Sequence, residues 1–280
     1  MHLDEIEFLL KKEIAPKEFR NDSEIYGFHY GNDNRSKSIK KVMLTMDLNL
    51  NAIHFAAKNK INLIISLNGL IKESIKNFKP ELINKLSILS KYPLTIFVLG
   101  SAFYAAEGGI LDMILDILYL KLDSPLELKN QHGFKIPIGR ICIPNLYPGT
   151  NENFTLEKLI NRIDSNLKIK PILYLGKLKK EINSICIIGA EDLFLKYYYE
   201  LFSKNYDCFI TESTNKSIIS YAFDLGINLI EFSFYNCEIL ALKKLCNYLS
   251  LKFPYDEFYL FNSNNPLKLY AEPKTSKHLR

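Results

Sequence analysis

The chain contains no tryptophan, and no hydrophobic run in it is long enough to cross a membrane. A membrane helix needs about 20 consecutive apolar residues, whereas Lys, Asn, Glu or Asp interrupts every Ile- and Leu-rich stretch here. The opening residues, Met-His-Leu-Asp-Glu-Ile-Glu, carry acids where a secretory signal carries bases. These absences predict a cytoplasmic protein that has no membrane partner.

Cysteine is scarce, and the sequence contains no Cys-x-x-Cys pair. Several cysteines stand between apolar neighbours in strand-like runs, which favours reduced and mostly buried thiols over a disulfide or zinc framework. The five residues are Cys142, Cys186, Cys208, Cys237 and Cys246.

Three motifs of common enzymes are also missing: Gly-x-Ser-x-Gly, the P-loop Gly-Lys-Ser/Thr and Gly-x-Gly-x-x-Gly. The sequence therefore assigns no catalytic residue and no cofactor through these patterns. Its net charge of +5 is mildly basic and spread along the chain, so charge alone is weak evidence for a nucleic-acid partner.

Hydrophobic segments of strand length alternate with segments of helical period along the chain. Lys41–Asp47 and Asn62–Ser66 are predicted strands, and the helix predicted over Leu50–Lys58 joins them into a βαβ unit. The first half also predicts a helix over Leu3–Ile14, a strand at Leu94–Leu99 and a helix that opens at Gly108-Gly109. Further strands are predicted at Gly133–Pro144, Ser184–Gly189, Cys208–Thr211, Asn228–Phe232 and Glu257–Phe261, with helices at Asp192–Lys204 and Lys216–Asp224.

This order predicts an α/β fold of two similar, intertwined lobes, related by duplication, with mainly parallel or mixed sheets flanked by helices. With 280 residues the chain is long enough for such a core. We place the first lobe at 1–128 and the second at 129–232. Residues 233–280 then supply a C-terminal helix and strand that pack back on the first lobe, with a polar tail from about 272.

Several short segments, in this order and spacing, resemble the GTP cyclohydrolase 1 type 2 family, also called the Ngg-interacting-factor-three-like family. The resemblance covers nearly the whole chain and implies a dinuclear-metal α/β protein that assembles into a toroidal homohexamer, a trimer of dimers. The segments are Tyr26–Gly31, Val42–Asp47, Ala105–Gly109 with Asp112, Ile138–Ile141, Cys208–Thr211, Gly226–Ile230 with Tyr235 and Glu238, and Phe261–Pro266.

The resemblance also implies where metal ligands would stand: a His-His pair after the second strand, an Asp before the Ala-Ala-Glu-Gly-Gly segment, and a late His-x-x-x-Glu. Only the last of these positions keeps its ligand type, because Leu and Phe have no donor and Asn and protonated Tyr are poor ligands. We therefore expect no complete metal site and no cofactor, with a divalent metal (Zn, Mn, Fe or Mg) at low occupancy as the alternative. The positions in this chain are Leu67, Asn68, Tyr104, Phe234 and Glu238.

A polar pocket is expected where the metals of the family would lie, and such a pocket can bind a small ligand through hydrogen bonds. Its candidate residues are Ser66, Asn68, Tyr104, Glu107 and Glu238. A second interpretation gathers four carboxylates around one Mg²⁺ or Ca²⁺: Glu107, Asp112, Glu212 and Glu238. The alternative, which we favour, is that these acids are hydrogen-bonded or solvated at strand ends and helix starts. The histidines stand outside the matched ligand segments and are expected in surface or packing roles: His2, His29, His54, His132 and His278.

Three functions remain open at the level of sequence. The first is a family member with a degenerate metal site that acts as a non-catalytic oligomeric scaffold, or as a protein that binds a small molecule or protein partner. The second is a metal-dependent hydrolase of GTP or a related nucleotide-like substrate. The third is a nucleic-acid-binding ring.

Overall fold

A computed structural model describes residues 1–20, 26–31, 37–71, 77–129, 133–146, 153–189 and 191–262, with the backbone alone at 191–193. Its strands are β1 (Gly27–Tyr30), β2 (Lys41–Thr45), β3 (Leu63–Ser66), β4 (Thr95–Val98), β5 (Leu120–Lys129), β6 (Lys135–Pro144), β7 (Leu173–Leu175), β8 (Ile185–Ile188), β9 (Cys208–Thr211), β10 (Asn228–Glu231) and β11 (Glu257–Phe261). Its helices are α1 (Leu3–Leu9), α2 (Leu50–Lys58), α3 (Pro80–Leu89), α4 (Ser101–Ala105), α5 (Ile110–Ile117), α6 (Leu156–Leu167), α7 (Glu191–Phe202), α8 (Lys216–Asp224) and α9 (Tyr235–Lys252). A π-helical turn, Leu10–Ile14, continues α1.

The first sheet has the strand order β1-β4-β3-β2-β11. Its strands β4, β3, β2 and β11 run parallel, and β1 pairs antiparallel with β4 at one edge. The central strands are buried on both faces, which is why they read as nearly continuous apolar runs in the sequence. Alternation along β2 sends Val42 and Leu44 to one core and Met43 to the core on the other face.

The second sheet has the strand order β5-β6-β8-β9-β10-β7. Its central strands β8, β9 and β10 are parallel, while β5, β6 and β7 pair antiparallel. The predicted lobe boundary at residue 128 falls inside β5, whose hairpin ladder with β6 belongs to this second sheet. The change of sheet therefore precedes Leu120, because an antiparallel hairpin keeps both of its strands in one sheet.

Three apolar clusters arrange the elements in layers. One cluster lies between the sheets and contains residues of both, such as Ile65 of β3 and Ile210 of β9. A second covers the outer face of the first sheet beneath α2, and a third covers the outer face of the second sheet beneath α7 and α8. The predicted fold class is confirmed: two intertwined α/β lobes with mixed sheets flanked by helices share a central core.

The helix α9 leads from the second sheet back to the first, where β11 pairs in parallel with β2. The predicted polar tail lies outside the described residues. Among the helices that the structure describes, none is both long and apolar enough to pass through a bilayer.

Candidate functional site

Carboxyl ends of parallel strands from both sheets supply the polar residues of the candidate site. Asp47 follows β2, Asn68 follows β3, and Glu212 directly follows β9. Open α/β sheets characteristically bind ligands at this edge, because the loops after parallel strands gather there. Two helices, α4 and α9, complete the site with Tyr104 and Glu238.

The contact between Tyr104 and Glu238 is the central interaction of the site. The phenol of Tyr104 donates a hydrogen bond to Oε1 of Glu238, 134 residues further along the chain. Helix α4 begins after Gly100, whose φ of 58° lies in the left-handed region that favours glycine. The Tyr104 ring also lies against the end of β8, where a Cβ on Gly189 would stand 3.0 Å from Cδ1 of the ring. The missing side chain at residue 189 thus leaves room for the tyrosine.

Glu238 is a buried carboxyl group, only 7% exposed, in the first turn of α9. Its pKa is raised to about 7, chiefly by burial and also by the neighbouring carboxylates of Glu212 and Asp47, while the hydrogen bond from Tyr104 acts in the opposite direction. Because this value lies near neutral pH, a large fraction of Glu238 is protonated there. Sequence reasoning missed Asp47, although an acid immediately after a buried parallel strand is a recognisable signal.

The loop after β3 is fixed by its own polar groups. The hydroxyl of Ser66 donates to the carbonyls of Met46 (3.2 Å) and Asn68 (2.6 Å). This side chain therefore stabilises the backbone of the loop. The amide of Asn68 donates to Oδ1 of Asp47 at 3.1 Å. Asn68 therefore ties the ends of β2 and β3 together on the side where Asp47 raises the pKa of Glu238.

The other two positions that match family ligands are apolar and belong to the core. Leu67 is 1% exposed and Phe234 is fully buried, with its ring 5.2 Å from that of Phe232. The backbone N–H of Phe234 donates to Oε1 of Glu212 at 3.1 Å, which holds that carboxylate at the start of α9. These two residues position the backbone of the site and offer it no metal ligand.

The described residues do not fit a dinuclear metal centre. Two of the five matched positions carry hydrocarbon side chains, and the phenol of Tyr104 uses its proton on Glu238. Within the described ranges, no group of three or more His, Cys, Asp or Glu side chains is placed to hold a metal ion. A divalent ion needs several such donors at once.

The alternative carboxylate set does not come together as one group. Asp112 forms an ion pair with the buried Arg140, at 2.6 Å from its Nε, and accepts a hydrogen bond from the N–H of Gly108. The same guanidinium donates to the carbonyls of Ala105 and Ala106, so it holds the chain that follows Tyr104. Glu107 is exposed on the turn after α4, and no described hydrogen bond links it to the rest of the pocket.

His29 lies closer to the site than its place in the sequence suggests. It stands on β1, and its Nδ1 accepts a hydrogen bond from the N–H of Leu70 at 3.2 Å, two residues beyond Asn68. Partial burial lowers its pKa, which favours the neutral ring that this hydrogen bond requires. His2 and His54 are exposed, whereas His132 and His278 lie outside the described residues.

All five cysteines are free and buried, as the sequence predicts. Burial raises the pKa of the thiols, for instance that of Cys142 and that of Cys237 in the first turn of α9. Thiols with raised pKa are poor nucleophiles at neutral pH, so they act as small apolar side chains in the core.

Two sheets around a shared core, with a polar site at the carboxyl ends of their parallel strands, define a two-lobed α/β protein. The family model of DUF34/NIF3 (NGG1p interacting factor 3) matches residues 1–266, and the chain belongs to this family.

Curated relatives carry the name GTP cyclohydrolase 1 type 2 homolog. The one from Clostridium acetobutylicum is 24% identical over 245 residues, which cover 84% of this chain and 86% of the relative. The one from Methanocaldococcus jannaschii is 25% identical over 248 residues, which cover 88% of this chain and 93% of the relative.

Solved structures share the fold at lower identity. A Bacillus cereus protein related to NIF3 superimposes with a TM-score of 0.77 at 14% identity, covering 96% of this chain and 99% of its own. Reduced HcgD from Methanocaldococcus jannaschii gives a TM-score of 0.75 at 20% identity, with 94% and 98% covered.

Proposed function

We propose that this chain is a non-catalytic member of its family that binds a small ligand or a protein partner as an oligomeric scaffold, with a degenerate metal site. The observation that carries the proposal is the hydrogen bond from Tyr104 to Glu238. It joins two positions that match metal ligands of the family to each other. The carboxyl group of Glu238 accepts a hydrogen bond from the Tyr104 phenol, and its pKa is raised to about 7. At neutral pH it therefore acts as a hydrogen-bonding group more than as an anionic metal ligand.

The chemistry of the pocket supports a neutral polar ligand. The side chain of Asn68 offers an amide, Tyr104 a hydroxyl and Glu238 a carboxyl group, all placed by strand ends and helix starts. Such groups recognise a ligand through directed hydrogen bonds, and Leu67 and Phe234, which precede Asn68 and helix α9, are buried apolar residues. The proposal assigns no hydrolytic step to these residues.

The oligomer is part of the same proposal. The resemblance implies a homohexamer built as a trimer of dimers, and the family model matches the sequence over residues 1–266. Mass measurement of the purified protein in solution tests this point, and a monomer would contradict it.

The hydrolase alternative rests on the name that the curated relatives carry. It requires stoichiometric metal and turnover of GTP in the presence of Mn²⁺, Zn²⁺ or Mg²⁺. The proposal predicts no turnover above a protein-free blank with any of the three ions. Turnover that disappears in Glu238→Gln would refute the proposal in favour of the hydrolase.

A further inference from the structure

A basic segment at one edge of the second sheet accounts for the whole net charge of the chain. Residues 165–180 contain five lysines and no acid, so the remaining chain holds 31 basic and 31 acidic residues out of totals of 36 and 31. Basic residues are spread along the chain, but outside this segment they are balanced in number by acids. The five side chains are exposed: Lys168, Lys170, Lys177, Lys179 and Lys180.

The fold divides these lysines between the two ends of β7. Lys168 and Lys170 come before the strand, and the other three follow it after Gly176. Seven residue steps separate Lys170 from Lys177, which is at most about 24 Å at about 3.4 Å for each residue. This distance corresponds to at most about seven phosphates at the 3.4 Å spacing of one stacked strand.

An exposed aromatic ring stands between the two groups of lysines. Tyr174, the middle residue of β7, is 49% exposed, and Leu173 beside it is 54% exposed. The strand β7 is the last in its sheet and pairs only with β10 among the described strands, so its outer edge is open. Cations that follow a backbone, with an aromatic ring between them for a base, are the elements of single-strand binding surfaces.

Most of these lysines have no acidic partner in the described part of the chain. No ion pair there involves Lys168, Lys170, Lys177 or Lys179, and Lys180 donates to the carbonyl of Gly226 at 3.3 Å. Acids border both ends. Glu212 and Glu231 line a cleft of about 350 Å³ together with Lys168 and Lys170, and Asp164 lines a neighbouring cleft with the same two lysines. At the other end the charge of Lys180 helps to lower the pKa of Asp207. Both glutamate carboxylates already accept hydrogen bonds within the protein: Glu231 from the hydroxyl of Thr214, and Glu212 from the N–H of Phe234.

We propose that the β7 edge, defined as residues 168–180, binds the phosphate backbone of a single-stranded nucleic acid, with Tyr174 stacking on a base. This surface adjoins the polar site around Glu238, since Glu212 belongs to that site and also lines the cleft with Lys168 and Lys170, but the inference does not rest on the function proposed for that site. Charge complementarity identifies the occupant: an uninterrupted basic segment on an otherwise neutral chain attracts a polyanion.

The test measures the affinity of the whole protein for fluorescent oligo(dT) and oligo(U) of about 12 nucleotides, as a function of salt. Five neutralised phosphates predict a slope of about −3.5 for log K against log salt, since each contributes about −0.7 on a single strand. The variant Lys170→Gln/Lys177→Gln/Lys179→Gln is expected to reduce the magnitude of this slope by about 2. Tyr174→Leu is expected to weaken binding roughly five- to hundredfold through lost stacking.

A matched control removes the same charge from other exposed sites, with the variant Lys58→Gln/Lys91→Gln/Lys243→Gln. Equal loss of affinity in both triple variants would overturn the proposal, because binding would then follow net charge alone. Failure to bind either oligonucleotide at low salt would overturn it as well. So would binding to phosphatidylserine vesicles or to a poly-glutamate peptide in place of the oligonucleotides. Similar affinity for oligo(dT) and oligo(U) supports backbone recognition, and a preference for one identifies the natural polymer.

Discussion

Replacing Glu238 with glutamine removes a titrating group from the centre of the site while keeping its size and its oxygen acceptor for Tyr104. In the folded protein the pKa of Glu238 is raised to about 7, from 4.5 in the unfolded chain. A raised pKa contributes stability that is fully present below the unfolded value and is lost as the pH rises through the folded value. The wild-type protein therefore loses this contribution between pH 4.5 and about 7.

The size of the effect follows from the shift. Each unit of pKa corresponds to about 1.4 kcal/mol, so the full contribution is about 3.5 kcal/mol and the part lost between about pH 5 and pH 9 is about 2.5 kcal/mol. The glutamine variant has no such loss. Its free energy of unfolding, relative to wild type, is expected to be about 2.5 kcal/mol more favourable at pH 9 than at pH 5.

Urea unfolding followed by far-ultraviolet circular dichroism measures this difference, since the chain has no tryptophan to serve as a fluorescent probe. Groups that titrate in both proteins cancel when the two pH values are compared. The control Glu81→Gln replaces an exposed acid on α3 and should give the same difference from wild type at both pH values. An equal effect of Glu238→Gln at the two pH values would refute the reasoning, because Glu238 would then be ionised throughout.

Three further changes test the surroundings of the site and the fold. Arg140→Leu leaves Asp112 without its ion pair and the carbonyls of Gly139, Ala105 and Ala106 without this donor, and should lower the free energy of unfolding by about 3–5 kcal/mol in urea titrations; a loss below about 1 kcal/mol would contradict this. Asp207 accepts three hydrogen bonds, two of them from Ser184, and these outweigh partial burial to hold its pKa below the usual range. Asp207→Ala should cost about 1–3 kcal/mol at neutral pH, and this cost should shrink as the pH falls through the lowered pKa of Asp207. A variant that restores the family ligand types should bind a divalent metal; it carries Leu67→His, Asn68→His, Tyr104→Asp and Phe234→His. If this variant folds but binds no metal, the assignment of these positions is contradicted.

Local patterns in the sequence predict the parallel core of the fold well. The helices α2 and α8 and the strands β9 and β11 have the bounds expected from the apolar pattern, and in the structure Asn49 and Asn215 cap the two helices. The edge strand β7 was not predicted, because it is three residues long and its side chains are largely exposed. The long strand β5 was also missed, since half of its residues are exposed and it contains a proline.

The site shows the same division between local and distant information. Tyr104 and Glu238 are recognisable one by one, but their contact joins residues 134 positions apart and depends on how α4 and α9 pack. The approach of Asp47, Glu212 and His29 to this region depends on strand order, which no local pattern contains. Arg140 is a further example: its ion pair with Asp112 removes that acid from the expected carboxylate set.

The metal content of the purified protein tests the central claim most directly. After incubation with Zn²⁺, Mn²⁺, Fe²⁺ or Mg²⁺ and removal of free ions, elemental analysis is expected to find well below one metal ion per chain, in wild type and in Glu238→Gln alike. Two metal ions per wild-type chain, lost in Glu238→Gln, would contradict the claim that the family's metal site has become a metal-free polar pocket.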